Sequence, residues 1–169
     1  LLSRSEQDGT TWRLHHLMAD FLNHKVYQDF DPPRIYGIRK RASSFLEKKG
    51  DLDRALEQVI NNLDWKEASR LIKQYGDSYF LKSGRLEALY FWIKRIPEAS
   101  GCKDHWIHYF EGMSMLHVNQ ETAFSTLSDA ARQAETLNDV QCQVRSLLAM
   151  IAVHTFSNNV RMIEETARR

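Results

Sequence analysis

The sequence predicts an all-α fold, a right-handed superhelix of antiparallel helical hairpins of the tetratricopeptide-like kind, with a small β-hairpin wing at the N-terminus. Three observations lead there. Apolar residues recur at helical spacing almost without interruption from Asp31 to the last residues. Glycines, prolines and the caps Asp31 and Asp64 divide this run into helices of about 11–17 residues, near the length at which a lone helix is marginal in water. Ahead of it, Asp8-Gly9 is followed by Thr10-Thr11-Trp12, a two-residue turn signal leading into residues that favour extended backbone.

Taken in order, residues Leu2 to His15 read as the hairpin, because Gly9 accepts the positive φ of a type I′ turn. A helix follows from about His16 to Val26, with Leu17, Phe21 and Leu22 on one side. Asp31 caps the next helix, whose first turn tolerates Pro32 and Pro33. Its apolar side is Ile35, Ile38, Ala42, Phe45 and Leu46, and Gly50 ends it. Leu52, Ala55, Leu56, Val59, Ile60 and Leu63 form the clearest amphipathic stripe. Asp64 caps a helix carrying Trp65, Ala68, Leu71, Ile72 and Tyr75, which Gly76 is expected to stop. A short helix holds Tyr79, Phe80 and Leu81. After Gly84 comes one with Leu86, Leu89, Tyr90 and Ile93, ended before Pro97.

Glu98-Ala-Ser-Gly-Cys102 is the best candidate boundary, so the chain divides into residues 1–31, 32–100 and 101–169. In the last part Trp106, Tyr109, Phe110, Met113 and Leu116 mark one helix, and Phe124, Leu127, Ala131 and Ala134 a second. Val140, Val144, Leu147, Leu148 and Ile151 mark a third, and Val160, Ile163 and Ala167 begin a fourth. The repeat is roughly 35–40 residues per helix pair. Ordering a residue costs about 1–2 kcal/mol of backbone entropy, and burying an apolar side chain returns about 1.5–3 kcal/mol. No single helix closes that balance, so neighbours must stack. Ala123, Ala130, Ala131 and Ala134 suit close helix approach.

Composition narrows the function. The 169 residues carry a net charge of +1, which offers no bulk attraction for nucleic acid or an anionic membrane. The longest apolar run, Leu147 to Val153, is far short of the ~18–20 residues that span a bilayer. Cys102 and Cys142 read as reduced thiols of a cytoplasmic protein. The start lacks a signal peptide and the end stops inside a helical pattern, so a piece of a larger protein is expected.

Few residues offer chemistry. No glycine-rich phosphate loop is present, and no nucleophile stands near a histidine in a hydrolase arrangement. Cys102, His105 and His108 could contribute to a metal site, but a fourth ligand is missing. The histidines are expected to face water or the concave groove instead, with Trp106, Tyr109 and Phe110 toward the core. Arg34, Arg39, Lys40, Arg41, Lys48 and Lys49 read as a solvated face rather than a phosphate strip, and Trp65 and Trp92 as packing. The chain is therefore expected to be neither an enzyme nor a metal or cofactor binder by itself.

Trp12-Arg13-Leu14-His15-His16-Leu17-Met18 resembles a pattern of the signal-transducing ATPases with numerous domains (the STAND class). Within that class it is similar to the maltose-regulator, MalT-like family of large ATP-binding, LuxR-type transcriptional regulators. The family pattern is close to aromatic-Arg-aromatic-His-His-Leu-Phe, and Leu14 and Met18 depart from it. Ala42 to Leu56, Asp64-Trp65-Lys-Glu-Ala68-Ser-Arg-Leu71-Ile72 and Ser83-Gly84-Arg85 through Trp92 to Pro97 resemble further family elements in the same order. The resemblance covers Leu1 to about Ser100, and beyond that only a generic helical repeat is shared.

The resemblance implies that residues 1–31 are the C-terminal part of a winged-helix domain, 32–100 a helical arm and 101–169 the start of an effector-sensing repeat. It implies a parent protein with an ATPase domain before this region and a DNA-reading helix-turn-helix after it. His15, with His16 and Arg13 beside it, would sense the phosphate of ADP held by that ATPase domain. Partners would be that domain, a small-molecule or protein effector, and further copies of the protein on activation. DNA would be met only through the absent reader. The alternative is a stand-alone tetratricopeptide-like scaffold that binds a protein or peptide partner on its concave face.

Overall fold

A computed structural model of the chain describes residues 2–4, 12–14 and 16–156. The fold is all-α apart from two three-residue strands. β1 (Leu2–Arg4) pairs antiparallel with β2 (Trp12–Leu14), placing Leu2 opposite Leu14 and Ser3 opposite Arg13. The Asp8-Gly9 turn, His15 and the Val160–Ile163–Ala167 stripe lie outside the described residues.

α1 (His16–Asp29) follows β2 and runs three residues further than the apolar pattern suggested. α2 (Pro32–Lys48) begins with two prolines in its first turn. Asp31 holds the cap position, yet its side chain makes no capping bond. The buried side of α2 is also rotated from the expected one. Ile35 and Ser43 are buried while Ile38 and Phe45 are exposed, because the Ser43 hydroxyl donates to the Ala55 carbonyl at 3.1 Å and fixes that side toward the next helix.

α3 (Leu52–Asn61) and α4 (Trp65–Tyr75) start at Asp51 and Asp64, whose carboxylates accept from the backbone N–H of Arg54 and Glu67. Each satisfies one of the orphan donors of a helix start. The α3 stripe is buried from Leu52 to Ile60, but Leu63 is not part of it. It stands at φ 56° between the helices, with 68% of its surface exposed.

Gly76 does not stop α4. The chain continues through a π-helical turn, Gly76–Leu81, and the glycine serves packing instead. A Cβ there would lie 2.5 Å from two ring carbons of Phe110, so only glycine lets the turn sit on that ring. α5 (Leu86–Lys94) follows Gly84 and leads to a single 3₁₀ turn at Glu98–Ser100. That turn, with Gly101 at φ 65°, is where the boundary was expected. The apolar core nevertheless runs across it without a break: Ile93 and Ile96 before it and Ile107 and Phe110 after it are all sealed.

α6 (His105–Met115), α7 (Gln120–Thr136) and α8 (Val140–Phe156) complete the described chain. Asp104, Asn119 and Asp139 cap them in turn. α8 begins 35 residues after α6, with an aspartate in the same capping place. α6 and α7 approach closely at Gly112, where a Cβ would lie 2.6 Å from Leu127 Cγ. Ala123, Ala130 and Ala134 are fully buried on the α7 side. The buried face of α8 is Cys142, Ser146, Ala149, Met150 and Val153, whereas Val140, Val144 and Leu148 of the expected stripe are exposed. Cys142 and Ser146 are small enough to sit against α6, where the Cys142 thiol lies 3.7 Å from the His105 carbonyl. The bulkier residues turn outward.

Candidate functional site

Of the residues the sequence singles out, Arg13 sits on β2 and His16 opens α1. Their side chains, and all of His15, lie outside the described residues. What is described is the helix they lead into. α1 buries none of its described side chains, and Leu17 (66% exposed) and Phe21 (55%) stand free on it. Its described contact with the body is through α2, where the Arg39 guanidinium donates to the Tyr27 hydroxyl and Arg34 lies 4.3 Å over the Phe30 ring.

The basic stretch of α2 is used in the same manner. Lys40 lies over Tyr36 at 5.9 Å and Lys49 over Phe45 at 4.9 Å. These cations cover aromatic faces that would otherwise meet water, a use that needs no phosphate.

Among the carboxylates that bond across the described body, Glu47, Asp53 and Asp139 each accept hydrogen bonds from several groups at once. Glu47 on α2 accepts two bonds from Arg70 on α4, at 2.8 and 3.1 Å, and one from the Tyr75 hydroxyl at 3.0 Å. The Arg70 guanidinium holds the Glu47 carboxyl below its usual range. Asp53 on α3 accepts from Trp92 Nε1 at 2.8 Å, from the Tyr79 hydroxyl at 3.0 Å and from Arg85. Burial alone would raise its pKa, but donation from Trp92, Arg85 and Tyr79 brings it below the ordinary value. Trp92 is therefore a donor as well as a packing residue.

Asp139 is the third. It caps α8 through the Cys142 N–H and also meets His105 Nε2 at 2.9 Å and Trp106 Nε1 at 2.7 Å. The bond to His105 is the main reason its pKa is lowered. His105 thus faces neither water nor a groove: its side chain is 12% exposed and locked onto the next repeat. The Nδ1 atoms of His105 and His108 are buried without a hydrogen-bond partner. The Cys102 thiol points to the Ser100 carbonyl at 3.5 Å. Among the described residues no group of three His, Cys, Asp or Glu side chains could hold a metal ion. Cys142 is buried, which pushes its thiol up to about 11 and leaves it a poor nucleophile.

Sequence reasoning placed the Asp64 cap, named Asp31 as a cap although its side chain makes no capping bond, and passed over the caps at Asp51, Asp104, Asn119 and Asp139 and the hubs. Asp53 reads as an ordinary first-turn acid, and its three donors come from 26 to 39 residues away. The hint available was Trp92, whose N–H needs an acceptor wherever the ring is buried. Between α7 and α8 a cleft of about 420 Å³ is lined by Ser128, Arg132, Glu135, Gln143 and Leu147. Among the described residues no helix is long and apolar enough to cross a membrane. No protein family, curated protein or solved structure matches the chain.

Proposed function

We propose that this chain is the central, signal-transmitting part of an ATP-dependent transcriptional activator similar to the MalT-like regulators. It links a nucleotide-binding core, on the side of the β-pair and α1, to an effector-sensing array of tetratricopeptide-like helical hairpins that begins at α6. It is not itself an enzyme in this reading, and ATP or ADP belongs to the ATPase domain of the parent protein.

One observation supports the reading best. Two of the segments that resemble the family, Asp64–Ile72 and Ser83–Pro97, contribute caps and sealed side chains to the body. Asp64 caps α4 and Ala68, Leu71 and Ile72 are sealed behind it, and Gly84 at φ 70° precedes α5, whose Leu89 and Trp92 enter the core. Bonds to Glu47, Asp53 and Asp139 tie α2 to α4, α3 to α5 and α6 to α8 within one apolar core, while the described bond of α1 to the body is to α2. A stiff arm with a loosely held end suits transmission of a rigid-body movement.

In the intact protein, His15 would contact the ADP phosphate and favour a closed form. A charge-assisted bond of this kind is worth about 1.5–3 kcal/mol, or roughly ten- to a hundredfold in a closed–open equilibrium. His15→Ala is expected to speed release of a fluorescent ADP by that factor and raise basal activity. An unchanged release rate with unchanged basal activity removes His15 from the switch. The adjoining coding sequence tests the larger reading: a Walker A motif upstream and a helix-turn-helix downstream are expected. The cleft between α7 and α8, with its mixed charges, favours the second reading, a scaffold that holds a peptide and involves no nucleotide. Neither motif in the flanking sequence would leave that reading in place.

A further inference from the structure

A cavity of about 450 Å³ lies where the end of α1, the start of α2 and the turn between α3 and α4 meet. That volume is within the range of small-molecule sites. Tyr27 and Phe30 line it from the α1 side, Tyr36 and Arg39 from α2, and Asn62 and Leu63 from the turn. Among the described residues Arg39 is the only charged one in its wall. Asp64, the acid next in sequence to that wall, is already engaged by the Tyr36 hydroxyl at 2.7 Å and by the Glu67 N–H at 3.2 Å.

Arg39 is held in place. Its Nη1 donates to the Asn61 carbonyl at 2.6 Å and its Nη2 to the Tyr27 hydroxyl. A guanidinium has five N–H donors, so this anchoring leaves donors for a ligand. One fixed planar cation matches a single carboxylate through paired hydrogen bonds, whereas a doubly charged phosphate calls for more positive charge than this wall offers.

Leu63 supplies a second, independent observation. Elsewhere among the described residues positive φ falls on Gly50, Gly84, Gly101 and Asn138, residues that accept it at low cost. Among the described residues only this turn puts a leucine there, at φ 56°, and leaves its side chain exposed at the cavity. A costly backbone state that leaves an apolar side chain at the rim of this cavity is the kind of local strain that collects at binding sites.

We propose that this cavity binds a small aromatic carboxylate, with the ring among Tyr27, Phe30, Tyr36 and Leu63 and the carboxylate on Arg39. The ligand would bridge α1 to the α3–α4 turn and so fix the one loosely attached helix against the body. This inference does not depend on the nucleotide reading above.

Three probes with one ring test it: indole-3-acetate, indole-3-acetamide and tryptamine, titrated into the chain by calorimetry. Saturable binding of the acid is expected, with the neutral amide about tenfold weaker and the amine not bound. Arg39→Gln should erase the preference for acid over amide, and Arg39→Lys should restore part of it, with helical circular dichroism unchanged. Leu63→Gly relaxes the backbone and should weaken acid and amide alike, which keeps the proposal testable if Arg39→Gln fails to fold. No saturable binding of the acid, equal binding of all three probes, or an acid-to-amide ratio untouched by Arg39→Gln would overturn it.

Discussion

α1 and α6 are both rich in large apolar residues, and they meet opposite fates. α6 buries Ile107, Tyr109, Phe110 and Met115 beneath α4, α5, α7 and α8. Among the described residues α1 leaves Leu17, Phe21, Leu22 and Tyr27 exposed, and its described bond to α2 is at Tyr27, near its end. Apolar spacing marks a face that wants a partner but does not supply one. The stability of this chain therefore resides in α2 to α8, and α1 is the part free to respond to whatever docks beside it.

The largest expected effect tests that division directly. Phe110→Ala should cost about 3–5 kcal/mol in urea denaturation, since its ring is sealed and fills the space under Gly76. Phe21→Ala should stay within about 0.5 kcal/mol. Comparable losses for the two would erase the contrast between the helices.

Next come the close approaches. Gly76→Ala and Gly112→Ala each drive a Cβ to within 2.6 Å of a buried side chain, Phe110 or Leu127. Overpacking of this sort costs about 1–3 kcal/mol, which exceeds the ~0.5–1 kcal/mol that alanine returns inside a helix. A rise in melting temperature for either variant would mean that the helices there have room to part.

Asp53→Ala should cost about 1–3 kcal/mol by stranding Trp92 Nε1 and Arg85. The hubs also set an acid limit. Glu47, Asp53 and Asp139 all have lowered pKa values in the fold, so their contribution is full above the ordinary carboxylate range. It is lost as pH falls through the folded values, beginning below about 4.5 for Glu47. The melting temperature should hold above about pH 5 and fall below it. Asp53→Asn should make that fall shallower, and an unaltered acid slope would show that the hub carries little of the linkage.

The smallest effect is a rate. Amide hydrogens of α1 should exchange well ahead of those in α4 and α6. Saturating the α1–α2 cavity with indole-3-acetate should slow them selectively, while uniform exchange throughout the chain would deny that α1 is distinct.

Much of the body could be read from the chain. Asp51, Asp64, Asp104 and Asp139 announce helix starts because a short acceptor meets a free N–H locally, with no help from distant residues. The α3 stripe is equally local. The misreadings share one cause: Gly76, Leu63, Phe45 and Val144 were judged by residue type, yet the surrounding packing chose the outcome. Gly76 resembles a stop and is a packing site; Leu63 resembles core and is a turn; Phe45 resembles core and is exposed.

The sequence by itself determined helical content, most helix starts and a last repeat of roughly 35–40 residues, since capping and periodicity act over a few residues. Only the tertiary structure decided which faces are buried, that Asp53, Glu47 and Asp139 become hubs, and that Arg39 and Leu63 meet around one cavity. Those outcomes depend on contacts between residues far apart in the chain, where close packing rather than local preference selects the partner.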